Sequence, residues 1–169
     1  MADAAEQFLK FKSLILTAGS PALGPRSRAG VGTEAELSAK LASFFASEEI
    51  SPQVQPLLKS AALLWHDHLD ASHTLSQDNS TRDGSWLHGI MHRREPDYGN
   101  AKYWFHRVGQ HAAFSKLAEQ TGRKTWDPFA FVDDCEAAEP GQDAVFTDSL
   151  RALQAAEFDV LVEHIFQTA

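Results

Sequence analysis

The chain has 169 residues, of which 43% are hydrophobic and 22% charged. This length and composition fit one globular domain and exclude a disordered chain. The net charge of −8 opposes binding to a phosphate backbone, so we expect no nucleic-acid partner.

Helix caps divide the first part of the chain. Asp3 with Glu6 forms a capping box, and apolar residues at helical spacing follow it. Residues 20–32, rich in Pro, Gly, Ser and Arg, are predicted to form a flexible loop. Thr33 with Glu36 forms a second capping box and starts the next helix.

The middle of the chain is predicted to contain one long helix and one short helix. Ser51 is an N-cap followed by Pro52 at the first helical position, and helical periodicity continues to about Ser76. After a polar turn, Ser85 can cap a short helix that ends near Arg94. Both helices carry histidines.

Asn100 can cap a helix over residues 101–108. Caps, glycines and prolines predict further helices over about 110–121, from Pro128 to before Pro140–Gly141, and over about 143–167. No alternating β-rich run and no internal repeat lies between them. The sequence therefore predicts an all-α protein, an irregular bundle of about seven helices that forms a single domain over residues 1–169.

Four polar residues of the long predicted helix lie within one arc about 60° wide, because an α-helix turns roughly 100° per residue. They are His66, Asp70, His73 and Gln77. These side chains could converge on one ligand, with His66 and His73 as acid–base catalysts. The same pattern fits a solvated face, because an apolar stripe runs beside it.

His88 and His92 are four residues apart on the short predicted helix, a spacing that zinc sites on helices use. They are therefore candidate ligands for a divalent metal such as zinc. A catalytic zinc also needs a third protein ligand and an open position for water. The zinc-protease motif is absent, because Gly89 stands where that motif has glutamate.

Glu157 lies in the middle of the apolar stripe of the last helix, so its carboxylate is predicted to be buried. A buried carboxylate has to be protonated, paired or bound to a metal, because an unpaired buried charge is costly. One alternative is a structural pair with Arg93, Arg107 or His164. The other is a catalytic general base or metal ligand beside the histidines.

Arginines and aromatic residues alternate in the stretch HRREPDYGNAKYWFHR at residues 92–107. Arg93, Arg94, Tyr98 and Arg107 are candidate ligand-binding residues, because an arginine fork holds a carboxylate or phosphate and flat rings stack on a sugar or base. The alternative is that the rings supply core area and the arginines make structural ion pairs.

The sequence lacks several motifs and segments, and their absence limits the cofactors and partners that we expect. There is no P-loop and no dinucleotide glycine fingerprint, so no nucleotide cofactor is expected. No run approaches the roughly 20 apolar residues of a membrane span, so no membrane partner is expected. The single cysteine, Cys135, excludes an intrachain disulfide and a thiolate-rich zinc site, and a cytoplasmic location is the default expectation.

The stretches LLWHDHLDASHTLSQ and LHGIMHRREPDYGNAKYWFHRVG cover roughly the middle third of the chain. They resemble the signature of a family of small uncharacterised proteins. This resemblance implies no activity, ligand or fold, and it assigns a role to no residue.

Two functional hypotheses follow from the sequence. The first is an enzyme that acts on a small polar or anionic metabolite by histidine and glutamate acid–base chemistry in a pocket between helices, with or without a metal. The second is a non-catalytic protein that binds or senses a small ligand with the arginine and aromatic loop. A structural helical protein that binds a protein partner is a third alternative.

Overall fold

The computed structural model describes residues 3–138 and 143–169. These residues form nine helices and no strand, so the predicted all-α fold class is confirmed. The helices are α1 (Ala4–Leu14), α2 (Glu34–Ser47), α3 (Gln55–Trp65), α4 (Leu69–Gln77), α5 (Arg82–Arg94), α6 (Tyr98–Val108), α7 (Phe114–Gln120), α8 (Pro128–Ala137) and α9 (Ala144–Gln167). Every helix contributes a side chain to one cluster of buried apolar residues.

Four helices, α1, α2, α8 and α9, begin where the sequence predicts, whereas α3 begins at Gln55 and Ser51 does not cap it. Asp3 accepts a hydrogen bond from the Glu6 backbone N–H at 2.8 Å, and the Thr33–Glu36 capping box is complete. Two starts were predicted a few residues late. Thr81 caps α5 in place of Ser85, and Asp97 caps α6 in place of Asn100.

The long helix predicted from Ser51 to about Ser76 is wrong. It is broken into α3 and α4 at Asp67, whose φ of +66° lies in the left-handed region. The Asp67 carboxylate is buried and accepts hydrogen bonds from Arg28 and Arg94, each at 2.8 Å. The two arginines compensate the charge of a carboxylate that would be costly to bury unpaired. Residues 66–68, between α3 and α4, take the place of about one turn of helix. This break adds a helix to the predicted count of about seven.

Two predicted helices of the second half end or begin differently in the structure. The helix predicted over about 110–121 is reduced to α7 at Phe114–Gln120. Helix α8 ends at Ala137, and the Pro140–Gly141 pair that was expected to stop it lies outside the described residues.

Residues 20–32 form no helix and run over the surface of the bundle. Three side chains bind their backbone carbonyl groups: Arg151 donates to Ser20 at 2.8 Å, Gln154 to Ala22 at 3.1 Å, and Arg94 to Gly24 at 3.2 Å. The segment is therefore anchored to α5 and α9, while the flexibility expected from its composition stays a prediction.

Helix α5 is the central helix of the fold, and all its residues from Gly84 to Arg94 are buried. It approaches α6 closely at Gly89, where a Cβ atom would lie 2.9 Å from the Phe105 ring. The glycine that excludes the zinc-protease motif is thus required for helix packing. This close approach places the polar residues of α6 against α5.

A Gly89→Ala substitution is expected to lower the free energy of unfolding by about 1–2 kcal/mol, because overpacking outweighs the helix propensity that alanine adds. Urea denaturation measures the effect. Gly99→Ala is the matched control on α6, since its Cβ would meet no atom within 4 Å. Equal stability of the two variants would contradict this account of the α5–α6 contact.

Among the described residues, none of the helices has an apolar stretch long enough to cross a bilayer.

Candidate metal centre

Three histidines from two helices converge in the structure. His73 comes from α4, and His88 and His92 come from α5. One ring nitrogen of each lies within 4.8 Å of the other two. The ring centroids are 4.6 Å apart for His73 and His88, 5.2 Å for His73 and His92, and 4.8 Å for His88 and His92.

Local sequence explains how the cluster forms. His88 and His92 share a face of α5 because they are four residues apart. His73 is brought to that face by its neighbour Ser72, which is fully buried and exchanges hydrogen bonds with Ser60 of α3 at 2.9–3.1 Å. Two small serines let α3 and α4 pack closely, and the next residue, His73, meets α5.

The two histidines of α5 are buried, whereas His73 is half-buried. Burial, together with the neighbouring His92, His73 and Arg107, lowers the pKa of His88 to about 3. Burial also lowers the pKa of His92 below its usual value. Both rings are therefore neutral at pH 7, which leaves a nitrogen lone pair on each for a metal ion.

His88 stands out because neither of its ring nitrogens has a hydrogen-bond partner among the described residues, although both are buried. An unsatisfied buried polar group costs about 1–3 kcal/mol. A metal ion would satisfy the nitrogen that carries the lone pair. Trp104 of α6 covers the ring, with centroids 3.7 Å apart and planes inclined by 17°.

His92 is oriented by an acidic side chain. Its Nδ1 lies 3.1 Å from a Glu95 carboxylate oxygen, so Nδ1–H donates to Glu95 and Nε2 keeps its lone pair. The side-chain amide of Asn100 lies 3.4 Å from that Nε2 and donates to it, so a metal ion bound by Nε2 would displace this hydrogen bond. A carboxylate that holds the distal N–H of a histidine is the usual outer partner of a metal ligand.

The donor set fits a transition metal. Three neutral imidazoles suit zinc and its neighbours, and they do not suit magnesium or calcium, which prefer oxygen ligands. Zinc–nitrogen bonds of about 2.0–2.1 Å place tetrahedral ligand atoms about 3.3 Å apart. The nitrogens, which lie within 4.8 Å of one another, would have to approach by at most about 1.5 Å.

Similarity to known proteins gives no further guide to this centre. Comparisons with family models, with curated proteins and with solved structures found no match. The resemblance suggested by the two sequence stretches around the histidines therefore stays a prediction.

A second cluster joins Asp83, His111 and His164, whose ligand atoms also lie within 4.8 Å of one another. The hydrogen bonds of His111 argue against a metal at this place. Its Nδ1 accepts the backbone N–H of Ala113 at 3.1 Å, so Nε2 carries the proton and donates to Asp83 at 2.9 Å. The second cluster is therefore a hydrogen-bonded pair of His111 and Asp83, with His164 beside it.

The structure separates His66 from the other predicted catalytic histidine. The helix break ends α3 at Trp65, so His66 and His73 do not share a helix face. The Nδ1 of His66 accepts the Gly32 backbone N–H at 2.9 Å, and its Nε2 lies 3.0 Å from the Ile15 carbonyl oxygen. Both nitrogens bind the N-terminal segment. The expected arc of four converging polar residues is therefore wrong.

Glu157 is fully buried, as its position in the apolar stripe predicts. It accepts hydrogen bonds from Arg93 at 2.7 Å and from the Trp86 indole at 3.0 Å. Arg93 also lies 3.3 Å from the side-chain oxygen of Gln154. This arrangement is the structural pair considered from the sequence, and it favours that alternative over a general base beside the histidines.

The four predicted ligand-binding residues lie in different environments. Arg93 and Arg94 are buried, and Arg94 donates to Asp67 at 2.8 Å and to the Leu64 carbonyl oxygen at 2.7 Å. Tyr98 is half-buried, and only Arg107 is exposed. Arg107 lies over the Trp104 ring at 5.2 Å, next to the histidine cluster.

Asn100 and Trp104 of α6 were not among the predicted site residues. Asn100 was interpreted as a helix cap and Trp104 as a source of core area, but both contact the clustered histidines. The available signal was their spacing, because Asn100, Trp104 and Arg107 recur at intervals of four and three residues. That spacing places an amide, an indole and a guanidinium on one helix face.

Proposed function

We propose that this protein is a metal-dependent enzyme that binds one zinc-like ion with His73, His88 and His92 and uses metal-bound water to hydrolyse a small polar metabolite. The observation that carries this proposal is the convergence of the three ring nitrogens within 4.8 Å at a buried place. His88, whose two nitrogens lack any partner in the described chain, supports it most.

The competing explanation is that the three histidines are ordinary core residues. Of the cluster, His88 differs from the buried histidines elsewhere, because His66 and His111 each use both ring nitrogens in hydrogen bonds. His88 uses neither. Since buried polar groups are normally satisfied, the contrast within one chain favours a ligand at the cluster.

The number of ligands supports a catalytic centre over a structural one. Structural zinc sites are closed by four protein ligands, whereas catalytic sites have three and leave a position for water. The cluster supplies three histidines, and the half-buried His73 lets solvent reach it. Bound zinc lowers the pKa of water to about 7 and so supplies a hydroxide nucleophile near neutral pH. Glu95 would hold His92 in the ligating tautomer.

Turnover by the zinc-loaded and the chelator-treated protein tests this function. Small carboxylic esters, amides and phosphate esters form the substrate panel. We expect hydrolysis of at least one class by the zinc form, its loss after chelation, and its return when zinc is added back. Zinc binding without hydrolysis of any panel member would contradict the enzymatic part of the proposal.

A second candidate is a non-catalytic protein that binds or senses a small ligand. The exposed guanidinium of Arg107 over the Trp104 ring favours it, because this pair resembles a recognition surface. Recovery of a stabilising ligand in unchanged form would favour this candidate. For either function we propose a cytoplasmic location, because the single cysteine, Cys135, is a free and buried thiol.

A further inference from the structure

We infer that the substrate of this centre carries a small oxyanion group, a carboxylate or a phosphoryl group, which Arg107 binds at the rim of the histidine cluster. This inference rests on the proposed function, because it assigns the substrate class of the same site. Its structural basis is the face that α6 presents to α5.

The α6 face places three polar or aromatic groups beside the histidines in a fixed order. Asn100 lies 3.4 Å from the His92 ring, and Trp104 stacks on His88 at 3.7 Å. Arg107, one turn further on, lies over the Trp104 ring at 5.2 Å. The guanidinium therefore lies against the same indole ring that covers His88.

Arg107 is available to a ligand, unlike its neighbours in the sequence. Within residues 3–138 and 143–169 it makes no hydrogen bond and no ion pair, and its guanidinium lies over the Trp104 ring. By contrast, Arg93 and Arg94 are bound to buried carboxylates, and Lys102 pairs with Asp133. Among the described residues, the guanidinium of Arg107 thus has no acidic or carbonyl partner beside the centre.

The chemistry of a free arginine defines the ligand class. A guanidinium presents parallel N–H donors that match the two oxygens of a carboxylate or phosphoryl group, and such charge-assisted pairs are about twice as strong as neutral ones. Contact with the Trp104 ring restricts the guanidinium before the ligand arrives, which reduces the entropy lost on binding. A cationic ligand would be repelled, and a neutral ligand would gain less than an anion, because only the anion forms a pair of opposite charges.

The local charge favours an anion although the chain carries a net charge of −8. Histidine binds a metal as the neutral imidazole, so a divalent ion held by three histidines would keep its positive charge, and Arg107 adds another nearby. Glu95 and Asp97 lie near the other side of the His92 ring, at 3.1 Å and 3.9 Å from its Nδ1. A positive spot on a negative surface attracts a small anion and repels a long polyanion.

Calorimetric titration with inorganic phosphate tests the inference. The protein is first loaded with one equivalent of zinc, and bound zinc is counted for each variant. We expect Arg107→Gln to weaken phosphate binding by about 10- to 100-fold, which is the typical effect of losing a charge-assisted pair. Arg107→Lys, which keeps the charge but not the fork, should show a smaller loss.

Arg123→Gln is the matched control. Arg123 is also exposed and lies over a tryptophan, Trp126, at 5.7 Å, so this substitution removes the same charge from a similar environment. We expect phosphate affinity within about twofold of the unsubstituted protein, because an exposed charge away from the ligand has little effect.

The outcomes separate the two proposals. Equal phosphate affinity of Arg107→Gln and Arg123→Gln, or no binding of phosphate and acetate by the zinc-loaded protein, would overturn the inference and leave the zinc centre standing. Absence of zinc binding would overturn the proposed function and, with it, the inference. Zinc bound at one per chain in both variants, with phosphate binding lost only in Arg107→Gln, would support both.

Discussion

The His88→Ala variant is expected to lose zinc binding by more than about 100-fold, because loss of an outer-shell partner alone costs about 10- to 100-fold. His88 is the central member of the cluster, with ring centroids 4.6 Å from His73 and 4.8 Å from His92. Competition with a chromophoric chelator measures the affinity, and circular dichroism checks that the variant is folded.

Two further variants make this prediction specific. Glu95→Ala removes only the carboxylate that orients His92, so it should weaken zinc binding by about 10- to 100-fold. His164→Ala changes a histidine of the second cluster and should leave zinc affinity unchanged. Loss of zinc binding in His164→Ala but not in His88→Ala would assign the metal to the cluster of Asp83, His111 and His164, and would refute the proposal.

Glu157→Gln is expected to destabilise the fold by about 3–5 kcal/mol, because it leaves the buried guanidinium of Arg93 without its counter-charge. Both side chains of this pair are completely buried and lie 2.7 Å apart. Urea denaturation at pH 7 measures the loss. Replacing both partners by apolar residues of similar size should restore part of the stability, since the unpaired charge is then removed.

Asp159→Asn is the matched control on α9, because it makes the same acid-to-amide change in a partly exposed ion pair. Asp159 binds Lys12 at 2.6 Å near the surface. Such pairs contribute about 0–1 kcal/mol, so the control should be almost as stable as the unsubstituted protein. A Glu157→Gln protein of full stability that had lost only hydrolysis would instead support the catalytic role predicted from the sequence.

Local signals predicted much of the fold. Side-chain caps such as Thr33 and Asp127 act on the backbone two or three residues ahead, so the sequence alone places these helix starts. The break at Asp67 was not predictable in this way. It depends on Arg28 and Arg94, which are 39 and 27 residues away in the chain.

The difference between local and long-range contacts also explains which site residues could be predicted from the sequence. His88 and His92 are four residues apart on one helix, and their pairing follows from helix geometry. His73 was identified, but it was grouped with His66 because the helix break between them was unknown. The position of Asn100, Trp104 and Arg107 beside the histidines depends on the packing of α6 on α5, which the sequence does not show.

Anomalous X-ray scattering from zinc-soaked crystals of the chelator-free protein tests the central claim most directly. The account predicts one strong peak per chain, about 2.0–2.1 Å from one ring nitrogen of each of His73, His88 and His92. A peak at Asp83, His111 and His164, or no peak bound by the histidines of α4 and α5, would contradict it.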